Sequence, residues 1–553
     1  MAGHREPEYR VHHAPAPAHR RRRRSGASLP RTAGAGHVRL LALHHPQRAH
    51  VALAEGRTDR RVRALVPRRA GAPARVGAVP PPARPRAAVD RGRPGRAHLH
   101  PGHLLLGGAR TDLQPQHDRA GRRARPLFVP RRSQRARARA EGRVMANICV
   151  IREWYFPDDT RVSREVEALV RAGHEVDLIC ATRPGQPRFE QSGGLRIFRI
   201  PITRRRSGLA RYLAENVLFQ LAATALAGLL HLRRRYALVQ VHSLPDWLAF
   251  AAIVPRLLGA RVLLDLHECM PEYLTTRYKR PERAWSVRLM SFLEQASIRF
   301  ASAVITCTDQ MRERFVERGA PAEKISVVLN SFDEDRFDPA RYASPRSRGE
   351  DFTLVCHGTV DENFGIDIVI RAVASLRDEI PGLRLRVYGE GTQRLALEEL
   401  TAALGLGDRV WFSRGFLPVE ELLPAIAAAD AGVVAVRRDA FRDLTHCNKM
   451  YDLIALRKPV IISRTRAVEA YFADGCFRMF ESENVADLAQ AIRELYADPD
   501  LCTRLVARAS EVSEPYRWPY QKKGYLAVVA RLVAGPGAPD RRYALAAERA
   551  ADR

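Results

Sequence analysis

The chain of 553 residues has no Cys-x-x-Cys pair, and no Gly-x-Gly-x-x-Gly turn follows its first apolar run. Its first 144 residues contain no lysine, isoleucine, asparagine, cysteine or tryptophan. The first absence argues against a zinc knuckle, so the eight cysteines read as reduced, mostly buried residues of a cytosolic protein. The second leaves a dinucleotide-binding fingerprint unsupported. The third removes most of what a core needs: residues 1–144 have Tyr9 and Phe128 as their only aromatics and are built from Arg, Ala, Pro and His. Such a composition cannot bury enough apolar surface to offset chain entropy, and disorder is expected. Leu104–Leu106 is too short an apolar run for a signal peptide or a membrane span.

What is abundant is positive charge, 91 Lys and Arg against 61 Asp and Glu, a formal +30. Its position matters more than its size. Residues 1–144 hold 33 Arg and 8 acids, whereas the rest of the chain holds 58 basic and 53 acidic residues. Three readings compete for the first segment: an arginine-rich nucleic-acid arm, a targeting extension, or translated sequence upstream of the true start. The absent residue types are those with AT-rich codons, which favours the last, and Met145 then opens a clean strand, Ala146–Ile151. An arm that binds nucleic acid by base stacking would need interleaved aromatics, which it lacks. No nucleic-acid partner is expected.

From Met145 short apolar runs alternate with amphipathic stretches, the pattern of parallel α/β sheets. Strands are expected at 148–151, 176–180, 238–242, 262–266, 303–306 and 326–329, then at 353–356, 383–388, 410–412, 432–436 and 460–463. Residues 330–349, rich in charge, Pro and Ser, read as a linker. The expected layout is a domain at 145–335, a second at 336–513, a returning helix at 514–535 and a tail at 536–553. Both domains are Rossmann-like and face a cleft, where ligands bind at the C-terminal ends of strands. Leu209–Leu232 reads as a helix with an almost uncharged second half, flanked by Arg204–Arg206 and Arg233–Arg235. Glu215, Asn216 and Gln220 interrupt it, so it is not expected to span a membrane. It suits either the surface of an anionic membrane or a core helix with solvated ends.

The stretch around which the second half is organised is Thr445–Ser463, THCNKMYDLIALRKPVIIS. It reads as a loop, a helix capped by Asn448 and a buried strand. Lys449 in the first turn opposes the helix dipole, unless an anion sits at that helix end. Asp452 lies one turn on, placed either to accept ribose hydroxyls or to form a surface i,i+3 pair with Lys449.

This segment resembles the Lys-x-x-Glu-x-x-Ala-x-Gly-x-Pro-Val-Ile pattern of the retaining family-4 glycosyltransferases, which have the GT-B fold. Asp452 stands in place of the usual glutamate, Arg457 in place of the usual glycine, and Leu444 at the position of a partner glutamate. Asp159-Thr-Arg-Val162 and Gly173-His-Glu-Val176 look like the family's opening, and Asp265-x-His267-Glu268 followed by Pro271-Glu272 resembles one subgroup. Tyr388-Gly389-Glu-Gly391 matches the family's Tyr-Gly-x-Gly turn, where small residues would let the nucleotide approach. The usual arginine and lysine of the diphosphate loop are replaced by Thr359 and Phe364.

The resemblance implies transfer of a sugar from a nucleotide diphosphate sugar to a hydroxyl of a lipid-linked or polysaccharide acceptor, with retention. It implies His267 as the catalytic histidine, with Glu268 beside it and His242 second to it. Donor binding falls to Gly358, Thr359, Tyr388, Gly389, Gly391, Arg437, Asn448, Lys449 and Asp452. Phosphate contacts are expected from Lys449, the Gly358 N–H and the helix start at Asn448. No metal site and no cofactor beyond the donor are expected. The implied partners are the donor, the acceptor and a membrane surface, and the implied location is cytoplasmic and peripheral on the inner face of the cell membrane. A nucleotide-sugar 2-epimerase and a non-catalytic GT-B subunit are the alternatives.

Overall fold

The computed structural model describes residues 145–202, 209–331, 341–342, 351–472 and 475–535. Residues 1–144, the arginine triplet at 204–206, most of the 330–349 linker and the 536–553 tail lie outside them, so the expectations placed there are not addressed.

Two sheets carry the chain. The first runs β3-β4-β2-β1-β5-β6-β7-β8. Its strands are β1 Asn147–Tyr155, β2 Glu175–Ala181, β3 Phe189–Ser192, β4 Leu195–Ile200, β5 Leu238–His242, β6 Arg261–Leu266, β7 Ala303–Thr306 and β8 Ile325–Val327. All neighbours are parallel except the β3–β4 hairpin. The second sheet, order β11-β10-β9-β12-β13-β14, is parallel throughout. It comprises β9 Phe352–His357, β10 Leu383–Tyr388, β11 Val410–Phe412, β12 Ala431–Val434, β13 Val460–Ser463 and β14 Arg478–Phe480. Every strand read from the sequence is present. Those it missed lie at sheet edges, β3 with β4 beside it and β14, and β3 has Phe189 as its only apolar residue.

The central strands, among them β2, β5, β6, β12 and β13, are buried on both faces, so each sheet has a core on either side. The helices supply the matching apolar stripes. In Thr160–Arg171, Val162, Val166 and Leu169 recur at helical spacing and are buried, and Asp159 caps the helix by accepting from the Val162 N–H at 3.2 Å.

Both sheets reverse strand order between neighbours, β1 with β5 and β9 with β12, which opens a crevice at the C-terminal strand ends. Several contacts tie the halves, among them the Arg466–Glu313 ion pair and the Tyr471 hydroxyl on Asp309, and two of them are packed into a core. The last helix, Trp518–Ala534, sends Tyr525, Leu526, Val528 and Val529 into the core of the first sheet, and the Tyr525 hydroxyl donates to Gln240 Oε1 at 2.7 Å. Leu444, from the loop between β12 and β13, is buried in the other core of that sheet, and its carbonyl accepts from Thr308 Oγ1 at 2.5 Å.

Candidate active site

A cavity of about 520 Å³ lies between the strand ends of the two sheets. From the first sheet it is lined by His267, Glu268, Cys307 and Thr308, and from the second by Gly358, Thr359, Phe364, Arg442, Asn448 and Lys449.

On the first side the strand register does the assembling. Arg152 of β1 pairs with His242 of β5, which pairs with Asp265 of β6, so three polar residues stand in a row across adjacent strands. Asp265 is fully buried and is the hub. Both its oxygens accept from Arg161, at 2.8 and 2.9 Å, and Oδ2 faces His242 Nδ1 at 3.0 Å and His267 Nε2 at 3.1 Å. Burial alone would raise this carboxyl, but the Arg161 guanidinium and the two imidazoles hold it well below the usual carboxylate range.

Proton positions follow from chemistry. Gln240 Nε2 can only donate, and it lies 3.2 Å from His242 Nε2. His242 therefore carries its proton on Nδ1, toward Asp265. Burial lowers His267 to about 4, against the pull of Asp265, so its ring is neutral at pH 7. Facing the carboxylate, its proton is on Nε2 and its Nδ1 is an acceptor. Burial also raises the neighbouring Glu268. The ligand-type atoms of His242, Asp265 and His267 lie within 4.8 Å of one another, near enough for one ion. The Arg161 guanidinium shares the Asp265 carboxylate with both rings.

On the second side several sequence expectations change. Asn448 does not cap its helix. The cap is Cys447, without a side-chain bond, and Asn448 is the first helical residue of Asn448–Ala455. The Gly358 N–H is not free for phosphate, since it donates to the Tyr388 carbonyl at 2.8 Å. Gly358 matters for a different reason: with φ at +90°, a Cβ there would lie 2.6 Å from Lys449 Cε. Lys449 passes over that gap, donates to the Thr359 carbonyl at 3.2 Å and stands 3.2 Å from the Phe364 ring centroid. Burial lowers its pKa from the ordinary lysine value.

Asp452 pairs with neither Lys449 nor open cavity but with His357 Nε2, at 3.0 Å. Gly389 and Gly391 press on the 358–360 loop, where added Cβ atoms would fall 1.8 Å from the Gly358 carbonyl and 2.2 Å from that of Val360. The small residues of that turn thus admit protein backbone, and Tyr388 packs on Trp411. Arg437 is engaged by Asp367, at 2.8 and 2.9 Å, and by Glu483. None of Tyr388, Gly389, Gly391, Arg437 and Asp452 lines the cavity. His242 lies behind His267, fully buried.

Sequence reasoning passed over Arg442, Asp265 and Arg161. Arg442 lines the cavity, its guanidinium stands 5.1 Å from the Phe364 centroid, and its Nε is buried without a hydrogen-bond partner. Asp265 and Arg161 were visible only as letters in Asp-x-His-Glu and Asp-Thr-Arg-Val, 104 residues apart until the sheet closes.

Two Rossmann-type sheets meeting at a cavity, with a lysine-bearing helix start on one wall and His267 on the other, define a sugar-nucleotide transferase architecture. Comparison with known proteins narrows the class. Residues 159–331 match the glycosyl transferase 4-like domain, and residues 351–498 match the glycosyl transferases group 1 family. The chain is a glycosyltransferase of the GT-B fold, related to those two families. It is 28% identical over 293 residues to 2-deoxystreptamine glucosyltransferase of Streptomyces kanamyceticus, covering 49% of this chain and 72% of that protein. It is 28% identical over 207 residues to the GDP-mannose-dependent alpha-(1-6)-phosphatidylinositol monomannoside mannosyltransferase of Mycolicibacterium smegmatis, covering 36% of this chain and 54% of that one. The fold matches sucrose-phosphate synthase from Thermosynechococcus elongatus with a TM-score of 0.54 at 21% identity, over 68% of this chain and 96% of the other.

Proposed function

We propose that the protein transfers a hexose-type group, with retention, from a nucleotide diphosphate sugar to a hydroxyl of a lipid-linked or polysaccharide acceptor, working at the inner face of the cell membrane. The observation that carries the proposal is the cation pair on the cavity wall. Lys449 and Arg442 both stand over Phe364, and among the described residues neither forms an ion pair with a carboxylate. Two half-buried cations at a helix start form a site for a diphosphate. In this reading Arg442 supplies the charge that the family's missing basic pair would have given. The named relatives support the donor class, one being a glucosyltransferase and another GDP-mannose-dependent.

The first-sheet wall faces the sugar and the acceptor. The neutral His267 ring offers Nδ1 as an acceptor, held in place by Asp265 and, through Asp265, by Arg161 and His242. The acceptor hydroxyl and the anomeric carbon meet on one face of the donor, the bond to the diphosphate breaks as the new glycosidic bond forms, and a phosphate oxygen takes the hydroxyl proton. The protein's part is positioning and stabilisation of the leaving diphosphate.

The test is calorimetric titration of the full chain with a panel of UDP-, GDP- and dTDP-sugars, followed by NMR assignment of the anomeric configuration of the product. Binding of one donor and a product with the donor's configuration is expected. Conversion of the nucleotide sugar to its 2-epimer with no acceptor present would replace the proposal with the epimerase.

A further inference from the structure

The helix Leu209–Arg234 buries Phe219, Ala223 and Ala227 in the first core, yet Leu221 and Leu229 on its other side are 62% and 63% exposed. They are not isolated. Gly228 packs on Val254 of the short helix Ile253–Leu257, whose last residue is 79% exposed, with Leu258 open beside it. Arg256 of the same short helix lies 4.8 Å over the ring of Phe300, the last residue of the helix Trp285–Phe300, which exposes Trp285 at 77% and Phe292 at 66%. Three helices joined by contact thus present large apolar side chains to the outside. Single exposed leucines are ordinary, but an assembly of this extent marks an interaction surface.

The charge around it selects the partner. At the end of the first helix Arg233 and Arg235 are exposed, and on the approach to and first turn of the last lie Lys279, Arg280, Arg283 and Arg288, also exposed. Among the described residues none of these six has a carboxylate within ion-pair distance, and Glu282 is the one exposed acid in that approach. A second copy of the chain would bring two such basic rims together. The arginine-rich residues 1–144 would be repelled in the same way. We infer that this three-helix face docks on an anionic phospholipid bilayer, its leucines and aromatics entering the headgroup boundary and its basic rim meeting lipid phosphates. The helix Leu209–Arg234, though by length and composition able to cross a membrane, lies along the surface because its opposite side belongs to the core. The inference deepens the membrane attachment of the proposed function and does not depend on the donor chemistry.

The test must separate this face from the 33 arginines of residues 1–144, whose charge would by itself attract anionic vesicles. The full chain is mixed with vesicles of phosphatidylglycerol and phosphatidylcholine whose acyl chains are brominated, and tryptophan quenching is read at low and high salt. Quenching that Trp285→Phe removes is expected, absent with phosphatidylcholine alone. Leu257→Ser with Phe292→Ser should lower vesicle affinity at high salt about tenfold or more, with donor affinity unchanged. Quenching indifferent to Trp285→Phe, or vesicle binding equal in the serine variant, would overturn the inference. So would lipid-free self-association that the serine variant abolishes, which would make the face a contact between copies. Loss of donor binding in the unaltered chain would count against the transferase reading alone.

Discussion

At the scale of single residues the cavity is a place where burial and charge have been set against each other. Lys449 is held where desolvation disfavours its charge, with a carbonyl and an aromatic face as partners in place of a carboxylate. An arriving diphosphate relieves that. Lys449→Ala and Arg442→Ala should each weaken nucleotide affinity by about 1.5–3 kcal/mol, the range for hydrogen bonds to charged groups. Neither should lower the melting temperature without ligand, and unchanged titration curves in both would remove the diphosphate assignment. Buried histidines give the second residue-scale expectation. Burial lowers His174, His267 and His446 each to about 4. An unfolded histidine binds its proton near pH 6.5, so between about 6.5 and 4 the unfolded chain holds more protons and stability falls as pH falls. Burial raises Glu165 to about 7, and raises Asp246 and Glu268 as well, which acts in the opposite sense over the same interval. The expectation is therefore read from a variant: the urea midpoint of His446→Gln should fall less, or rise more, between pH 7 and pH 5 than that of the unaltered chain. The same pH dependence in both would contradict it.

At the scale of elements the segment from Asn448 to Ser463 is informative because its C-terminal end is strained. The helix closes with Arg457 N–H donating to the Ile454 carbonyl and Lys458 N–H to the Leu453 carbonyl, both at 3.0 Å, which is a Schellman turn. That turn needs a left-handed residue, and Arg457 supplies it at φ +53° despite its Cβ. Arg457→Gly should stabilise the chain by about 1 kcal/mol, measured as a shift in urea midpoint with unchanged slope. A loss of stability would mean that the arginine side chain contributes more than the backbone costs. The neighbouring turn behaves oppositely. Gly389→Ala would place a Cβ 1.8 Å from the Gly358 carbonyl, so the 358–360 loop and Lys449 above it would have to shift. Donor affinity should fall in that variant even though Gly389 lies outside the cavity.

At the scale of the whole molecule, two of the contacts between the halves are packed into the cores of the first sheet. Leu444 lies in a core otherwise built from the first half, and the helix Trp518–Ala534 fills another. Leu444→Ala should cost about 2–5 kcal/mol and loosen the joint that frames the cavity. Scanning calorimetry should then resolve two transitions where the unaltered chain shows fewer, and the acceptor KM should rise more than the donor Kd. A single unshifted transition would show that Leu444 does not hold the joint.

Much of this was legible in the chain itself. The eleven strands read from apolar runs are present, because strands buried on both faces must be nearly continuous in apolar residues, and that constraint leaves its mark locally. The left-handed position at Arg457 was legible too, since this arginine stands where the resembled family keeps a glycine at the helix end. Partnership was not. Nothing local says that Asp452 faces His357, 95 residues away, or that Arg437 is taken by Asp367 while Arg442, five residues on, reaches the cavity. The sequence by itself determined which elements form and which residue types crowd the strand ends. The tertiary structure alone decided which of those side chains meet, because strand order and register, not spacing along the chain, bring Arg161, His242, Asp265 and His267 to one point.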